Sequence, residues 1–214
     1  MSLNSYIAKQ FSRPTGFGGK LVSSIMNWQN RSLYEETIRL LSLSDTDSVL
    51  DIGCGNGTVL NMLARRYDCK FTGIDISASI IKAASERNYG FVENGRMRLM
   101  CQDISGTSFV DCSFDKVYTI NTLYFLEDLD NTMTEIYRVL KPNGLFINAF
   151  YSNETLSRLP HTEFNYKKFT TEQLTNAGEN AGFSVNVVPI LNGTAHCVFY
   201  RKTGVSSCSH DPQS

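Results

Sequence analysis

The residues able to do chemistry gather around one stretch, Val49 to Leu60, which reads VLDIGCGNGTVL. Gly53, Gly55 and Gly57 occupy every second position between an apolar run, Val49 to Ile52, and the helically spaced Val59, Leu60, Leu63, Ala64 and Tyr67. A glycine turn between strand and helix brings main chain up against a nucleotide-like ligand. A Cβ there would block the approach or forbid the positive φ that the turn needs. Asp51 closes the apolar run, so its carboxylate is expected at the ligand end of a sheet. About 20 residues past the glycines, Asp75 closes a second short run, where an acidic side chain reaches ribose hydroxyls. Asp103 and Ile104 end a third run, and Asn121 and Tyr124 follow a fourth, in a loop bordering the same crevice. His161 is a candidate base. It lies in the segment Tyr151 to Phe169, which is long for a connection and rich in aromatic residues. His196 falls inside a predicted strand and reads as structural.

The glycine spacing decides between ligand classes. In the dinucleotide fingerprint G-x-G-x-x-G the third glycine lets helix and strand pack closely. Here that glycine comes one residue early and Thr58 takes its slot. No P-loop lysine follows. With Val-Leu-Asp-Ile in front, the stretch resembles motif I of the class I S-adenosylmethionine-dependent methyltransferases. Three downstream segments keep its register. They are the Gly-Ile-Asp ending at Asp75, Gln102-Asp103-Ile104, and Arg138-Val139-Leu140-Lys141-Pro142-Asn143-Gly144. The last is similar to the family's Arg-x-Leu-Lys-Pro-Gly-Gly turn, with Asn for the first Gly, and is structural. The resemblance implies that Asp51, Gly53, Gly55, Gly57, Asp75, Ile76, Asp103, Ile104 and Asn121 line the cofactor. Ile76 would lie against adenine or ribose, Asp103 would accept from the adenine amino group, and Ile104 would cover a ring face. Asn121 and Tyr124 share the spacing of the Asn-Pro-Pro-Tyr motif of amide and DNA-base methyltransferases, but both prolines are missing. The segment looks more like the Leu-His-His-Leu-x-Asp of small-molecule enzymes, with Tyr124 and Phe125 at the histidine positions. Asn121 is then a cofactor-side residue. The leader QFSRPTGFGGKLVSSIMN resembles that of a bacterial subgroup, and in class I enzymes such leaders close over the cofactor.

Composition is compatible with this reading. The 214 residues suit one α/β domain, and 20 basic against 21 acidic residues give a net charge of −1. A nucleic-acid footprint would need clustered Lys and Arg, so none is expected. No apolar run approaches the roughly 20 residues of a membrane span. The six cysteines form no C-x-x-C and have no ligand-like partnering with the three histidines. They read as free thiols in a reducing, cytoplasmic setting, with no metal site.

Around these residues the pattern alternates strand and helix. Leu33, Tyr34, Thr37, Ile38 and Leu41 form a helical stripe before the first strand. Further strands are predicted at Lys70 to Asp75, Arg96 to Gln102, Phe114 to Ile120 and Leu145 to Phe150. A helix runs from Leu129 to Leu140, and Ser77 is a plausible N-cap for another. Thr170 to Gln173 is a capping box and Gly182 a helix stop. Two strands follow, joined by Leu191-Asn192-Gly193. The expected architecture is a Rossmann-like, doubly wound seven-stranded sheet, mostly parallel with an antiparallel C-terminal hairpin. Residues 1–44 would form a helical cap of the same domain, 45–205 the catalytic domain, and 206–214 a flexible tail.

The resemblance implies in-line transfer of a methyl group to a small-molecule acceptor, giving S-adenosylhomocysteine. Tyr124 and His161 are the candidate catalytic groups, and a pocket roofed by the leader (Tyr6 to Trp28) and by Tyr151 to Phe169 would hold the acceptor. A SAM-binding protein without transferase activity is the alternative. A nicotinamide-dependent oxidoreductase fits the glycine spacing less well.

Overall fold

The computed structural model describes residues 29–158 and 167–204. The predicted leader, the tail and residues 159–166 of the predicted cover, His161 among them, lie outside the described residues. Chain order is α1 (Arg31–Leu41), β1 (Ser48–Ile52), α2 (Thr58–Ala64), β2 (Lys70–Asp75), α3 (Ala78–Arg87), α4 (Tyr89–Glu93), β3 (Met97–Cys101) and β4 (Phe114–Ile120). There follow α5 (Leu129–Val139), β5 (Leu140–Tyr151), α6 (Asn153–Ser157), α7 (Thr171–Asn180), β6 (Phe183–Ile190) and β7 (Ala195–Lys202). The strands form one seven-stranded sheet in the order β3-β2-β1-β4-β5-β7-β6. β1 to β5 are parallel, while β7 runs antiparallel to both β5 and β6. The expected fold is therefore observed.

Burial explains why these segments became strands. β1 lies between β2 and β4 with helices on both faces, so four of its five residues are buried in a row rather than in alternation. One face packs Leu33, Ile38 and Leu41 of α1 with Leu60 and Leu63 of α2. The other packs Met133 and Ile136 of α5 with Leu174 and Ala177 of α7. Burying each leucine fully contributes about 1.5–3 kcal/mol. The direction of strand order reverses between β1 and β4, and that switch point opens the crevice above their C-terminal ends.

Local signals performed unevenly. The capping box at α7 is complete, with Gln173 N donating to Thr170 Oγ1 and Thr170 N donating to Gln173 Oε1. Gly182 ends the segment at φ +100°. Ser77 occupies the N-cap position of α3 but makes no side-chain cap bond; its hydroxyl pairs with Ser79 instead. β5 begins at Leu140 rather than Leu145, with the Lys141-to-Gly144 turn carried inside it as a register shift against β4. Asn143 supplies the positive φ of 62° that the family's glycine would otherwise provide. The thiol expectation also needs correction. Cys54, Cys69, Cys101 and Cys197 are free, but Cys112 is disulfide-bonded. Nothing in the spacing of the six cysteines distinguishes Cys112 from the others. No helix among the described residues is long and apolar enough to cross a membrane.

Two tertiary contacts pin the C-terminal hairpin. Lys202 is buried, and its Nζ donates to the carbonyls of Tyr137 and Leu140 at 2.8 Å, completing the end of α5. Tyr200 stacks on Phe146 with centroids 4.9 Å apart, and its hydroxyl donates to Leu174 O. A Cβ at Gly178 of α7 would lie 2.5 Å from that fixed Tyr200 ring. Helix propensity favours alanine over glycine by about 1 kcal/mol, but overpacking costs about 1–3 kcal/mol. Gly178→Ala is therefore expected to lower the urea midpoint. A midpoint at or above wild type would mean that α7 moves off the sheet freely.

Candidate functional site

The glycine turn folds back over the end of β2. Gly53 N and Cys54 N both donate to the same carbonyl, Ile74 O, at 2.9 and 3.0 Å. All three glycines have positive φ, 70°, 53° and 71°. Each meets a different neighbour. A Cβ on Gly53 would fall 2.3 Å from the side chain of Thr122, in the loop after β4. A Cβ on Gly57 would fall 2.4 Å from Asn88 Nδ2 and 3.1 Å from Ala84 Cβ, at the end of α3. A Cβ on Gly55 would meet nothing within 4 Å. Two glycines thus allow close packing, and the middle one faces open space.

Asp75 adjoins that space. Its Oδ2 accepts from Gly55 N at 3.2 Å and its Oδ1 from Ser77 N at 3.0 Å. Burial raises its pKa above the usual carboxylate range, against the lowering effect of these two bonds. Ile76, next to it, is 51% exposed, a large apolar side chain left uncovered beside the turn. Asp103 is exposed and its Oδ1 accepts from Ser105 N. Ile104 is 4% exposed and packs into the core with Ile52 and Ile74, so it offers little ring-covering surface.

The loop after β4 carries Asn121 at φ 55°. Asn121 Nδ2 donates to Asn30 Oδ1 at 3.3 Å, just before α1. The Tyr124 hydroxyl lies 3.4 Å from Asn121 Oδ1 and donates to Tyr151 O at 3.1 Å. Tyr151 in turn donates its hydroxyl to Gln29 O. The start of α1, the β4 loop and the end of β5 are therefore laced together at the ligand end of the sheet. Tyr124 is only 4% exposed, so it supports this loop from beneath.

The fold is shared with solved structures. A chain of the complex between the Haloferax volcanii Trm112 methyltransferase activator and a methyltransferase superposes with a TM-score of 0.76 at 18% identity, covering 95% of this chain and all of that one. The geranyl diphosphate C-methyltransferase of Streptomyces coelicolor, solved with Mg2+, geranyl diphosphate and S-adenosyl-L-homocysteine, gives 0.68 at 15% identity, covering 82% and 77%. At these identities the likeness speaks for the fold. In sequence, residues 49–144 match the family model described as a methyltransferase domain. Over those residues the chain is similar to that family. It is 35% identical over 117 residues to a sterol 4-C-methyltransferase of Caenorhabditis elegans, covering 55% of this chain and 35% of that relative. The chain spans between 35% and 46% of the first curated relatives it matches.

Several residues that shape this crevice are not evident from the sequence. Asn88 is 1% exposed, and its amide donates to Gly57 O and Ala84 O while its carbonyl accepts from Asn61. It ties the glycine turn to α3. An asparagine at the end of a helix looks like a terminator, and nothing in its spacing points to Gly57. Tyr118 is the second. It is fully buried beside Asp51, its cross-strand partner in β4, and donates its hydroxyl to Asp51 Oδ2 at 2.7 Å. Asp51 itself is 3% exposed, so the carboxylate expected at the crevice is sunk in the core. Burial pushes its pKa up to about 7, with Tyr118 opposing and nearby Asp75 adding to the rise. Burial also lifts the Tyr34 hydroxyl to about 12, with Asp51 and Tyr151 contributing. Among the described residues no lysine or arginine pairs with Asp51 or Asp75.

A carboxyl whose folded pKa lies above its unfolded value binds its proton more tightly when folded. Its contribution is then full below about pH 4 and is lost as pH rises through about 7. Asp51→Asn, which can still accept from Tyr118, should gain stability relative to wild type between pH 5 and pH 8. Thermal unfolding at both values checks this. An unchanged gap in melting temperature would mean that Asp51 does not couple to protons.

Proposed function

We propose that this protein transfers a methyl group from S-adenosyl-L-methionine to a small-molecule acceptor by in-line displacement, leaving S-adenosyl-L-homocysteine. The observation that carries the reading is the open space over Gly55, bounded by the Asp75 carboxylate and the uncovered face of Ile76. A side chain at Gly55 would fill that space, and the neighbouring donor set suits a nucleoside with vicinal hydroxyls. The residues present therefore fit the cofactor. The cofactor supplies an activated methyl on a sulfonium. Gly55 lets main chain approach it, Gly53 and Gly57 close the turn against Thr122 and Asn88, Asp75 accepts from its ribose hydroxyls, and Ile76 covers its ring. Asp103 accepts from the adenine amino group at the exposed end of β3. The Asp75 carboxylate, which pairs with no lysine or arginine among the described residues, favours a positively charged ligand. Asn121, held by Asn30, sets the cofactor side of the β4 loop.

The chain's remaining task is alignment of the acceptor and exclusion of water. Orientation alone can supply about 7–11 kcal/mol of barrier reduction. An amine attacks without a base, whereas a hydroxyl or an acidic carbon needs one. The Tyr124 hydroxyl is engaged by Tyr151 O, so its part is to position the loop rather than to take a proton.

Asp75→Ala is expected to weaken S-adenosylhomocysteine binding tenfold or more, in line with about 1.5–3 kcal/mol for a hydrogen bond to a charged group. Calorimetry showing wild-type affinity in the folded variant would remove Asp75 from the ribose site. Gly55→Val should abolish binding while the circular dichroism spectrum keeps its wild-type shape. Normal binding by that variant would turn the glycine turn away from the ligand. Incubation with tritiated-methyl S-adenosylmethionine and metabolite extracts tests transfer itself. A cofactor-binding protein that labels nothing would be a binder without transferase activity.

A further inference from the structure

Beyond the glycine turn, the ligand end of the sheet carries a second recess. Strand order there runs β1, β4, β5, β7, so Tyr124, Phe150 and His196 succeed one another on leaving the turn. Tyr124 meets Phe150 edge-on with centroids 6.4 Å apart. Phe150 and His196 are cross-strand partners whose rings lie 5.8 Å apart at 32°. Together they form one wall of a cleft of about 220 Å³, whose rim includes Ser152, Asn153, Phe169 and Thr170.

Two polar atoms of this cleft's residues are buried without a hydrogen-bond partner, His196 Nδ1 and Asn153 Oδ1. Buried polar atoms are nearly always paired, so two orphans on residues that line one cleft point to a partner from outside the chain. The orientation of the asparagine is set, because its Nδ2 donates to Phe169 O at 3.3 Å and leaves Oδ1 as the free end. Oδ1 can only accept. His196 Nδ1 accepts in one tautomer and donates in the other. With Nδ1 protonated, one hydroxyl can accept from it and donate to Oδ1; with Nδ1 unprotonated, two hydroxyls on one ring can donate to the two atoms. The walls are flat and aromatic, which suits a ring. Size limits how much of a ligand enters. A cavity of about 150 Å³ holds benzene, whereas whole-ligand pockets run to roughly 300–1,000 Å³. The cleft has room for one substituted ring, not for a complete acceptor.

We propose that this cleft is a specificity subsite that receives a hydroxylated ring of the methyl acceptor, read by His196 and Asn153. The inference rests on the methyltransferase reading for the identity of the ligand as acceptor, but binding at the cleft is measurable without turnover. Neither residue adjoins the glycine turn. Their loss is expected to change which acceptors bind and to leave the cofactor's affinity as it was.

The test is nuclear magnetic resonance of the full-length, 15N-labelled protein with S-adenosylhomocysteine present, titrated with catechol and, in parallel, with toluene. Catechol should shift the amide signals of Ser152, Asn153 and His196 saturably, with at least tenfold tighter binding than toluene. Asn153→Ala and His196→Phe should each weaken catechol about tenfold and leave the affinity for toluene and for S-adenosylhomocysteine unchanged. The 15N spectrum reports at once whether each variant is folded. The subsite is overturned if catechol leaves those signals unmoved, if it binds no better than toluene, or if both folded variants keep wild-type affinity. Wild-type protein that binds S-adenosylhomocysteine but not catechol loses the subsite alone. Wild-type protein that fails to bind S-adenosylhomocysteine loses the methyltransferase reading, and the ring at the cleft is then no acceptor.

Discussion

Two consecutive main-chain N–H groups, those of Gly53 and Cys54, share one carbonyl of the neighbouring strand, Ile74 O. That pair of hydrogen bonds draws the chain leaving β1 across the end of β2, and much of the site follows from it. A path so close to β2 leaves no space for side chains at Gly53 or Gly57, where Thr122 and Asn88 already fill the volume. It also carries Gly55 N to within reach of the Asp75 carboxylate, the next residue along β2 after the shared carbonyl. The acidic side chain and the bare backbone are thus positioned by the same crossing. Neither could shift without opening the other.

The fold was legible because its causes are local and repeated. Continuous burial in β1, the helical stripe of α1 and the capping box of α7 each carry their own signature, and each formed where its pattern said. The Asp75 position was legible for the same reason, being fixed by strand length and turn. The polar interior was not. Asp51 meets Tyr118 through the register of two parallel strands 67 residues apart, and register between parallel strands is set by the packing of the whole sheet. Asn88 reaches Gly57 across 31 residues for a similar reason. Ile104, at the end of β3, had a plausible outward role, but the chain turns it inward to close the core under Ile74. His196 read as a strand residue and is one; what the pattern could not show is that its ring, near the start of β7, lines a cleft.

The electrostatic character of the site follows from burial. Asp51 and Asp75 both have pKa values raised by desolvation, although each has hydrogen bonds that favour its ionised form. Hydrogen bonds from Tyr118, Gly55 and Ser77 soften the cost of those charges without cancelling it. Acids held this way interact unequally with ligands that differ by one positive charge. That is the difference between a sulfonium and the thioether it leaves behind.

The placement of β7 also bears on how the chain folds as it is made. β7 lies between β5 and β6, although it follows both in sequence, and its Lys202 closes the end of a helix formed some 60 residues earlier, at Tyr137 and Leu140. Until β7 has left the ribosome, β5 presents an open edge, β6 has no strand to pair with, and the last carbonyls of α5 lack their buried cation. Open edges invite pairing with other chains, and contacts between distant segments form late. The N-terminal half, with the glycine turn and β1 to β4, can reach its sheet order during synthesis. The half that carries the cleft must wait for its last strand to slide into the middle of the sheet.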